Sequence, residues 1–326
     1  MSDTHVDVAI VGAGLSGLVA ARGLVAAGRS VRLVDKGRSV GGRLATRRIG
    51  DATLDHGAQF FTVRSPEFAA LVAEAIEAGV VYEWCHGFDA EGDGYPRHAC
   101  HGGMNALAKW LAVGLDVTTA CQVASFAPAV GGQGWKLAMV DGTGLDADAL
   151  VLTAPVAQSL ALVDAGDVEL EATVRSDLES VEYFATLALL VTLDGAPAVP
   201  EPGGVQLPET EPFTFVADNR RKGISAAEAV TLHANHDYSI TRYDDDPDEV
   251  RAELLEFAAP WLGDAAVVEA QLKKWRYAGP VQPLPAECVT TTVAGAPLVF
   301  AGDAFGGPKV EGAARSGMAA AAVLIG

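Results

Sequence analysis

The stretch VDVAIVGAGLSG, residues 6–17, decides the fold. Val6 to Val11 is a short apolar run of the kind that forms a buried parallel strand. Gly12, Gly14 and Gly17 follow in G-x-G-x-x-G spacing. Gly12 suits a tight turn, Gly14 lets backbone approach a pyrophosphate, and Gly17 lets helix and strand pack closely. A helix is expected from about Leu15 to Ala27, with the amides of Leu15 and Ser16 at its phosphate-facing start. Ala21 and Leu24 lie on its strand-facing side. Gly28 is placed to end it. Val31 to Val34 reads as the second strand, closed by Asp35, 18 residues past Gly17. An acid there is placed to accept hydrogen bonds from a ribose. A glycine-rich turn in an ordinary α/β protein would explain the glycines alone. It would not explain the strand, helix, Gly28 and acid together. Nor does the start read as a signal peptide, because Met1 to Asp7 carries acids and no Lys or Arg.

Asp35 fits either NAD or FAD. The following segment KGRSVGGRLATRR (36–48) places Lys36, Arg38, Arg43, Arg47 and Arg48 in a chain whose net charge is −19. An acidic protein that holds a diphosphate needs such local positive charge. The GGR of Gly41, Gly42 and Arg43 resembles the flavin amine-oxidase superfamily. The resemblance implies that it lies beside the FAD pyrophosphate and ribityl chain. DHGAQFF (55–61) resembles the superfamily's next segment, which reaches the flavin ring. Lys36, Gly42, Arg43, Gly57, Ala58, Gln59 and Phe60 are therefore expected at the cofactor.

The other end of the chain reads LVFAGDAFGGPKVEGAARSGMAAAAVLIG, residues 298–326. Pro297 to Phe300 is a strand pattern, followed by Gly302 and Asp303. A small-residue helix follows with Glu311, Gly312 and Ala313 in its first turn. Spacing alone shows a glycine-rich loop before a helix, which a terminal core helix would also give. The resemblance assigns these residues to the flavin, with the helix N-terminus stabilising negative charge on the reduced ring. The two chain ends are thus expected to enclose one FAD.

Half of the 326 residues are hydrophobic, and the pI is near 4.6. That acidity argues against nucleic acid and against anionic membrane surfaces. No apolar run near the C-terminus is long enough to span a bilayer. Cys85, Cys100, Cys121 and Cys288 show no C-x-x-C and no metal spacing. They read as reduced thiols of a cytoplasmic protein. No cysteine lies between Ala301 and Gly326, so the FAD is expected to be non-covalent. No second G-x-G-x-x-G follows a strand, and GGQGW (131–135) falls in a hairpin.

The expected fold class is α/β. It comprises a Rossmann-type FAD-binding domain, glutathione-reductase-like or amine-oxidase-like, and a second α+β substrate domain built on an antiparallel sheet. The FAD domain is expected to be discontinuous, over 1–80, 102–178 and 280–326, with the substrate domain over 81–101 and 179–279. GGMNALAKWLA (102–112) has helical spacing. DVTTACQVASF, GWKLAMVDG and ALVLTAP read as a meander feeding a last parallel strand. Val123 and the turn Thr153, Ala154, Pro155 are expected near the cofactor. FTFVADN and AVTLHANHDYS alternate as sheet strands do. DDDPDEVRAELLEFAAPWL is a helix with acids crowding its first turn.

GGRLATRR, DHGAQFFTVR, GGMNALAKWLA, LHANHDYS, KWRYAGPV and AGDAFGGPKVEGAARSG together resemble the renalase-like branch of that superfamily. The resemblance implies oxidation of 2- or 6-dihydro isomers of NAD(P)H to NAD(P)+, with O2 as electron acceptor and hydrogen peroxide as product. The resemblance implies that amine oxidation would use a lysine holding a water near the flavin; lysines are scarce, YFATLALLVTL (183–193) has none, and Lys222, Lys273, Lys274 and Lys309 remain open by count without an obvious family position. A dihydropyridine needs no base, since its ring nitrogen expels hydride directly. His233 and Gln59 are the candidate catalytic residues. Arg64, Arg220 and Arg276 are candidates for substrate phosphates, and Trp275 and Tyr277 for the walls. An amine oxidase, or a related flavin dehydrogenase acting on a small metabolite, is the alternative. A non-catalytic relative of the Rab-escort kind is a third reading, and a colourless preparation would favour it.

Overall fold

A computed structural model describes residues 4–88, 92, 94–129, 131, 133–307 and 309–326. The chain divides into two compact units. One comprises Met1–Gly42, Ala108–Glu182 and Pro280–Gly326; the other comprises Arg43–Leu107 and Tyr183–Gly279.

The first unit is built on a parallel sheet. Strand Thr4–Val11 lies between Gly144–Leu152 and Val31–Val34, parallel to both. Ala296–Phe300 adds beyond Gly144–Leu152, and Asp116–Thr118 adds beyond Val31–Val34, again parallel. Ala9, Ile10, Leu33, Leu150, Val151 and Leu298 are fully buried. Near-continuous apolar runs are what a sheet covered on both faces requires. Asp116–Thr118 was expected to open the meander. It instead joins the parallel sheet, where Arg32 Nε donates to Asp116 Oδ2 at 2.8 Å. The antiparallel part is Val123–Pro128, Trp135–Met139 and Gly144–Leu152.

Helix Leu15–Ala26 follows the first strand. It ends in a Schellman arrangement: the Arg29 amide donates to the Leu24 carbonyl at 3.0 Å and the Gly28 amide to Val25 at 2.9 Å. Gly28 has φ +83°, which favours glycine. The C-terminal helix Lys309–Ile325 packs against this first helix. A Cβ on Gly317 would overlap the Ser16 carbonyl, and one on Gly23 would lie 3.0 Å from Ala321 Cβ. The chain ends therefore meet, and small residues permit the close crossing.

The second unit holds an antiparallel sheet ordered Gly204–Gln206, Phe213–Asp218, Ala229–Ala234, Tyr183–Leu193, Val267–Pro280. Helix Pro247–Leu262 covers it. Val250, Leu254, Ala258 and Leu262 recur every four residues and pack with Leu187, Leu189 and Val191. Asp246 caps this helix, accepting from the amides of Asp248 and Glu249 at 2.9 and 3.2 Å. The strand expected through AVTLHANHDYS stops at Ala234. The Asn235 side chain accepts from the Tyr238 amide at 2.7 Å and starts helix His236–Arg242.

Residues 43–80 and 102–107 were expected in the same domain as the glycine turn. They group with the second unit. The reason is packing: Ile49, Ala52 and Leu54 of the hairpin Thr46–Ile49/Ala52–Asp55 share a core with Leu190 and Ala229. Among the described residues, no helix is long and apolar enough to cross a membrane.

Candidate functional site: a dinucleotide cradle and a buried polar cluster

In the first unit, each glycine of the turn has a separate environment. Gly12 has φ +111°, and its amide donates to the Val34 carbonyl at 2.8 Å. A Cβ there would overlap the Thr153 hydroxyl. That hydroxyl donates to the carbonyls of Val11 and Gly12, 3.1 and 3.0 Å away. A Cβ on Gly17 would overlap the Gly12 carbonyl oxygen. Gly14 differs: its φ is −74°, and no heavy atom lies within 4 Å of an added Cβ.

Gly14 is also the N-cap of helix Leu15–Ala26, and no side chain caps the helix. The Ser16 hydroxyl is buried in its first turn without a hydrogen-bond partner. Uncapped first-turn amides, a positive dipole end, open room and an unsatisfied hydroxyl suit a diphosphate. Gly41 and Gly42 border the same turn. The Gly41 amide donates to Ala13 at 2.8 Å, and a Cβ on Gly42 would lie 3.5 Å from Gly14 Cα. These residues fit an FAD or NAD pyrophosphate.

Asp35 braces the turn. Its Oδ2 accepts from the Ala13 amide at 2.7 Å and its Oδ1 from the Gly37 amide at 2.6 Å. A carboxylate retains acceptor capacity beyond two such bonds. Lys36 reaches Gln158 Oε1 at 3.0 Å. Val123 is buried in the antiparallel strands, and Ala154 and Pro155 lead into helix Val156–Ala165. Near the other chain end, the Gly302 amide donates to Ser316 Oγ at 2.8 Å, and Asp303 is buried. Gly312 must be glycine, because a Cβ would overlap the Gly307 carbonyl. Glu311 and Ala313 share its helical turn.

In the second unit, the segment 55–60 is tied down by close backbone packing. A Cβ on Gly57 would overlap the Arg43 carbonyl, which accepts from the Ala58 amide at 2.9 Å. Arg43 itself donates through Nη1 to the Tyr277 carbonyl at 3.2 Å. Asp55 is wholly buried and fully engaged. Its Oδ1 accepts from Thr46 Oγ1 at 2.5 Å and from the Met104 amide at 2.8 Å. Its Oδ2 meets Lys222 Nζ at 2.7 Å, and neither side chain is exposed. The Lys222 ammonium also lies 5.3 Å from the Trp84 ring centroid. Its carbonyl accepts from the Tyr82 hydroxyl.

Gln59 joins this pair to His233. Gln59 Nε2 donates to the Asp55 carbonyl at 2.7 Å and lies 3.4 Å from His233 Nε2. Burial, His56 and Lys222 together push His233 down to about 4. Burial, with Lys273 next, pushes His56 down to about 4 as well. Both histidines are therefore neutral at physiological pH. Burial, then the Asp55 charge, drives the Cys100 thiol up to about 12 and raises Tyr82. Those two groups stay protonated.

Aromatic rings flank the cluster. Phe88 contacts Phe60, Phe215 and Trp84 with centroids 5.0, 5.1 and 5.2 Å apart. Phe215 is the register partner of His233 on the neighbouring strand. Trp275 stacks on His56 at 5.3 Å and donates to its carbonyl at 2.6 Å. Tyr277 meets Tyr183 edge-on at 5.4 Å. Gln59, Phe60 and His233 thus come together. The three arginines expected at substrate phosphates each meet a different group. Arg64 lies over Tyr95, Arg220 pairs with Glu228, and Arg276 pairs with Asp244 while stacking on Tyr243.

Sequence reasoning passed over the Asp55–Lys222 pair. Asp55 lay inside the recognised DHGAQFF segment, and Lys222 was one of four lysines open by count without an obvious family position. Only the fold shows that the Lys222 side chain turns inward.

Two 68-residue stretches of curated proteins match this chain. Putrescine oxidase of Kocuria rosea is 46% identical over 21% of the chain. Coproporphyrinogen III oxidase of Mycobacterium leprae (strain TN) is 47% identical over 20% of it. The matches span only 14% and 15% of those relatives' own lengths. A solved putrescine oxidase bound to putrescine superposes with TM-score 0.73 at 18% identity, covering 99% of this chain and 100% of that one. This shows a shared fold. Residues 10–75 match the NAD(P)-binding Rossmann-like domain. Residues 84–325 match the flavin containing amine oxidoreductase model, most of the chain, and the protein belongs to that family.

Proposed function

We propose that the protein is an FAD-dependent oxidase of the renalase-like branch, acting on 2- or 6-dihydro isomers of NAD(P)H. The overall reaction is dihydronicotinamide plus O2 plus H+ giving NAD(P)+ plus H2O2. Non-covalent FAD supplies the hydride-accepting and oxygen-reducing chemistry. In the first unit, Gly12, Gly14, Gly17 and the first-turn amides hold its diphosphate. Asp35 keeps the turn in shape and offers its remaining acceptor capacity to a ribose. In the second unit, Phe60, Phe88 and Phe215 form an aromatic cluster, with Arg97 over Phe60 and Phe88, beside the Gln59–His233 pair. Neutral His233, held by Gln59 and the His56 backbone, is placed to stack against a nicotinamide ring. The positions expected at the cofactor from Gly57 to Phe60 and from Gly302 to Ala313 are part of this proposal.

The observation that carries the choice of substrate is the state of Lys222 and Asp55. An amine arrives as an ammonium and must lose a proton before oxidation. A carboxylate to hold it, or a base to deprotonate it, would serve that chemistry. In this cluster the carboxylate is taken by Lys222, Thr46 and Met104, and the lysine by Asp55. A dihydropyridine requires neither. The family match favours amine oxidation as the second reading.

Anaerobic mixing separates the two. Bleaching of the flavin absorbance by the 2- or 6-dihydro isomers, and not by primary or secondary amines, is expected. Bleaching by amines alone would overturn the first reading in favour of the second.

A further inference from the structure

Gln59 sits between a cation and an imidazole. Its Oε1 faces Lys222 Nζ at 3.5 Å. Its Nε2 donates to the Asp55 carbonyl at 2.7 Å, approaches the Gly57 carbonyl at 3.3 Å, and lies 3.4 Å from His233 Nε2. An amide has one accepting end and one donating end. An ammonium has three donors and no acceptor, so only Oε1 can face Lys222. Lys222 in turn is held by Asp55, with both side chains wholly buried.

We infer that Gln59 is a positioning residue: the Lys222 ammonium at Oε1 and the Asp55 and Gly57 carbonyls at Nε2 fix the polarity of its amide, which keeps His233 as the tautomer whose Nε2 lone pair faces Gln59. A neutral imidazole carries one N–H, which is then on Nδ1. His233 can donate a hydrogen bond from that nitrogen but has no proton to give at Nε2. Burial and the charges of His56 and Lys222 disfavour the imidazolium, while a hydrogen bond from the ring to the His56 backbone opposes them and occupies the ring's one N–H. The Asp55 and Gly57 carbonyls also oppose a flip of the amide, which would turn Oε1 toward two acceptors. The inference deepens the proposed role of His233 and takes its functional meaning from that reading. The hydrogen-bond polarity does not depend on which substrate is used.

The test is nitrogen-15 NMR of the histidine rings in the FAD-loaded full chain, with His233→Asn assigning the signals. In the native protein, Nε2 of His233 is expected to be unprotonated and Nδ1 protonated. Two variants separate the amide from the ion pair. Lys222→Met combined with Asp55→Asn removes both charges together, and Gln59→Leu removes the amide while leaving the ion pair. Gln59→Leu is expected to lose the unprotonated Nε2 signal, wholly or in part, and the charge-free double variant, which keeps both carbonyls on Gln59 Nε2, is expected to retain it. A purely structural amide would leave the tautomer unchanged when Gln59 alone is replaced. A protonated Nε2 in the native protein, or an unchanged tautomer in Gln59→Leu, overturns the inference. If the charge-free double variant does not fold, the Gln59→Leu result decides. Failure of the dihydronicotinamide reading would appear as an unbleached flavin with the native tautomer intact, so the two failures are distinguishable.

Discussion

Replacing Gly14 by alanine separates what the chain needs from what the dinucleotide needs. The backbone at Gly14 has φ −74°, open to any residue, and an added Cβ meets nothing within 4 Å. Alanine is a poorer N-cap than glycine by about 0.5–1 kcal/mol. It also restricts the unfolded chain, which returns about 0.4–1 kcal/mol. The two effects nearly cancel, so the apoprotein should keep its stability within about 1 kcal/mol. The cofactor has no such latitude, because the methyl group stands where the backbone would approach the phosphates. Losing two amide bonds to a charged oxygen costs about 3–6 kcal/mol, at about 1.5–3 kcal/mol each. That weakens FAD binding about a hundred- to ten-thousand-fold. The assay pairs a flavin titration of the stripped protein with its thermal midpoint. Gly17→Ala is the contrast: its methyl group would overlap the Gly12 carbonyl and should destabilise the apoprotein itself, by about 1–3 kcal/mol or more. A Gly14→Ala protein with native FAD affinity would refute the reasoning. So would one whose apo form melts far below the native apo form.

Three other perturbations test the frame. Lys222→Met leaves the Asp55 carboxylate buried beside only Thr46 and Met104, and should cost about 3–5 kcal/mol. Adding Asp55→Asn should recover most of that loss, and a denaturant series on both proteins would show it. His56 and His233 titrate near 4 in the folded protein against an ordinary 6.5, so the unfolded chain takes up protons first. Their stabilising contribution is complete above about pH 6.5 and is lost as the pH falls toward about 4. Asparagine at both positions should flatten that part of a pH–stability curve. Gly317→Ala forces a methyl group against the Ser16 backbone and should loosen the helix crossing, read as lower thermal stability together with weaker flavin retention.

The cradle was legible because its signals are local. Gly12, Gly14, Gly17, Gly28 and Asp35 sit at fixed spacings on consecutive elements; the structure gives Gly12, Gly17 and Gly28 a backbone reason, leaves the backbone of Gly14 open to any residue, and sets the Asp35 carboxylate on two amides. The strands around them are apolar runs, which sequence reads well. Asp35 was legible as an acid at the strand end, but its two amide bonds were not. They depend on how residues 36–41 fold back on the turn. The polar cluster was partly hidden for the opposite reason. Gln59 and His233 are 174 positions apart, and Lys222 was one of four lysines open by count. Its burial follows from pairing with Asp55, a long-range contact with no sequence period. The same limit misplaced residues 43–80, whose hairpin follows the glycine turn in sequence but buries Ile49 and Leu54 against Leu190 and Ala229 of the second unit.

The claim on which the account rests is that the unit formed by both chain ends holds one dissociable FAD. Acid release from the purified full chain, with the flavin identified and counted against protein, tests it most directly. One FAD per chain, freed without residual colour in the precipitate, is the predicted result. A colourless protein that takes up no FAD on reconstitution would contradict it.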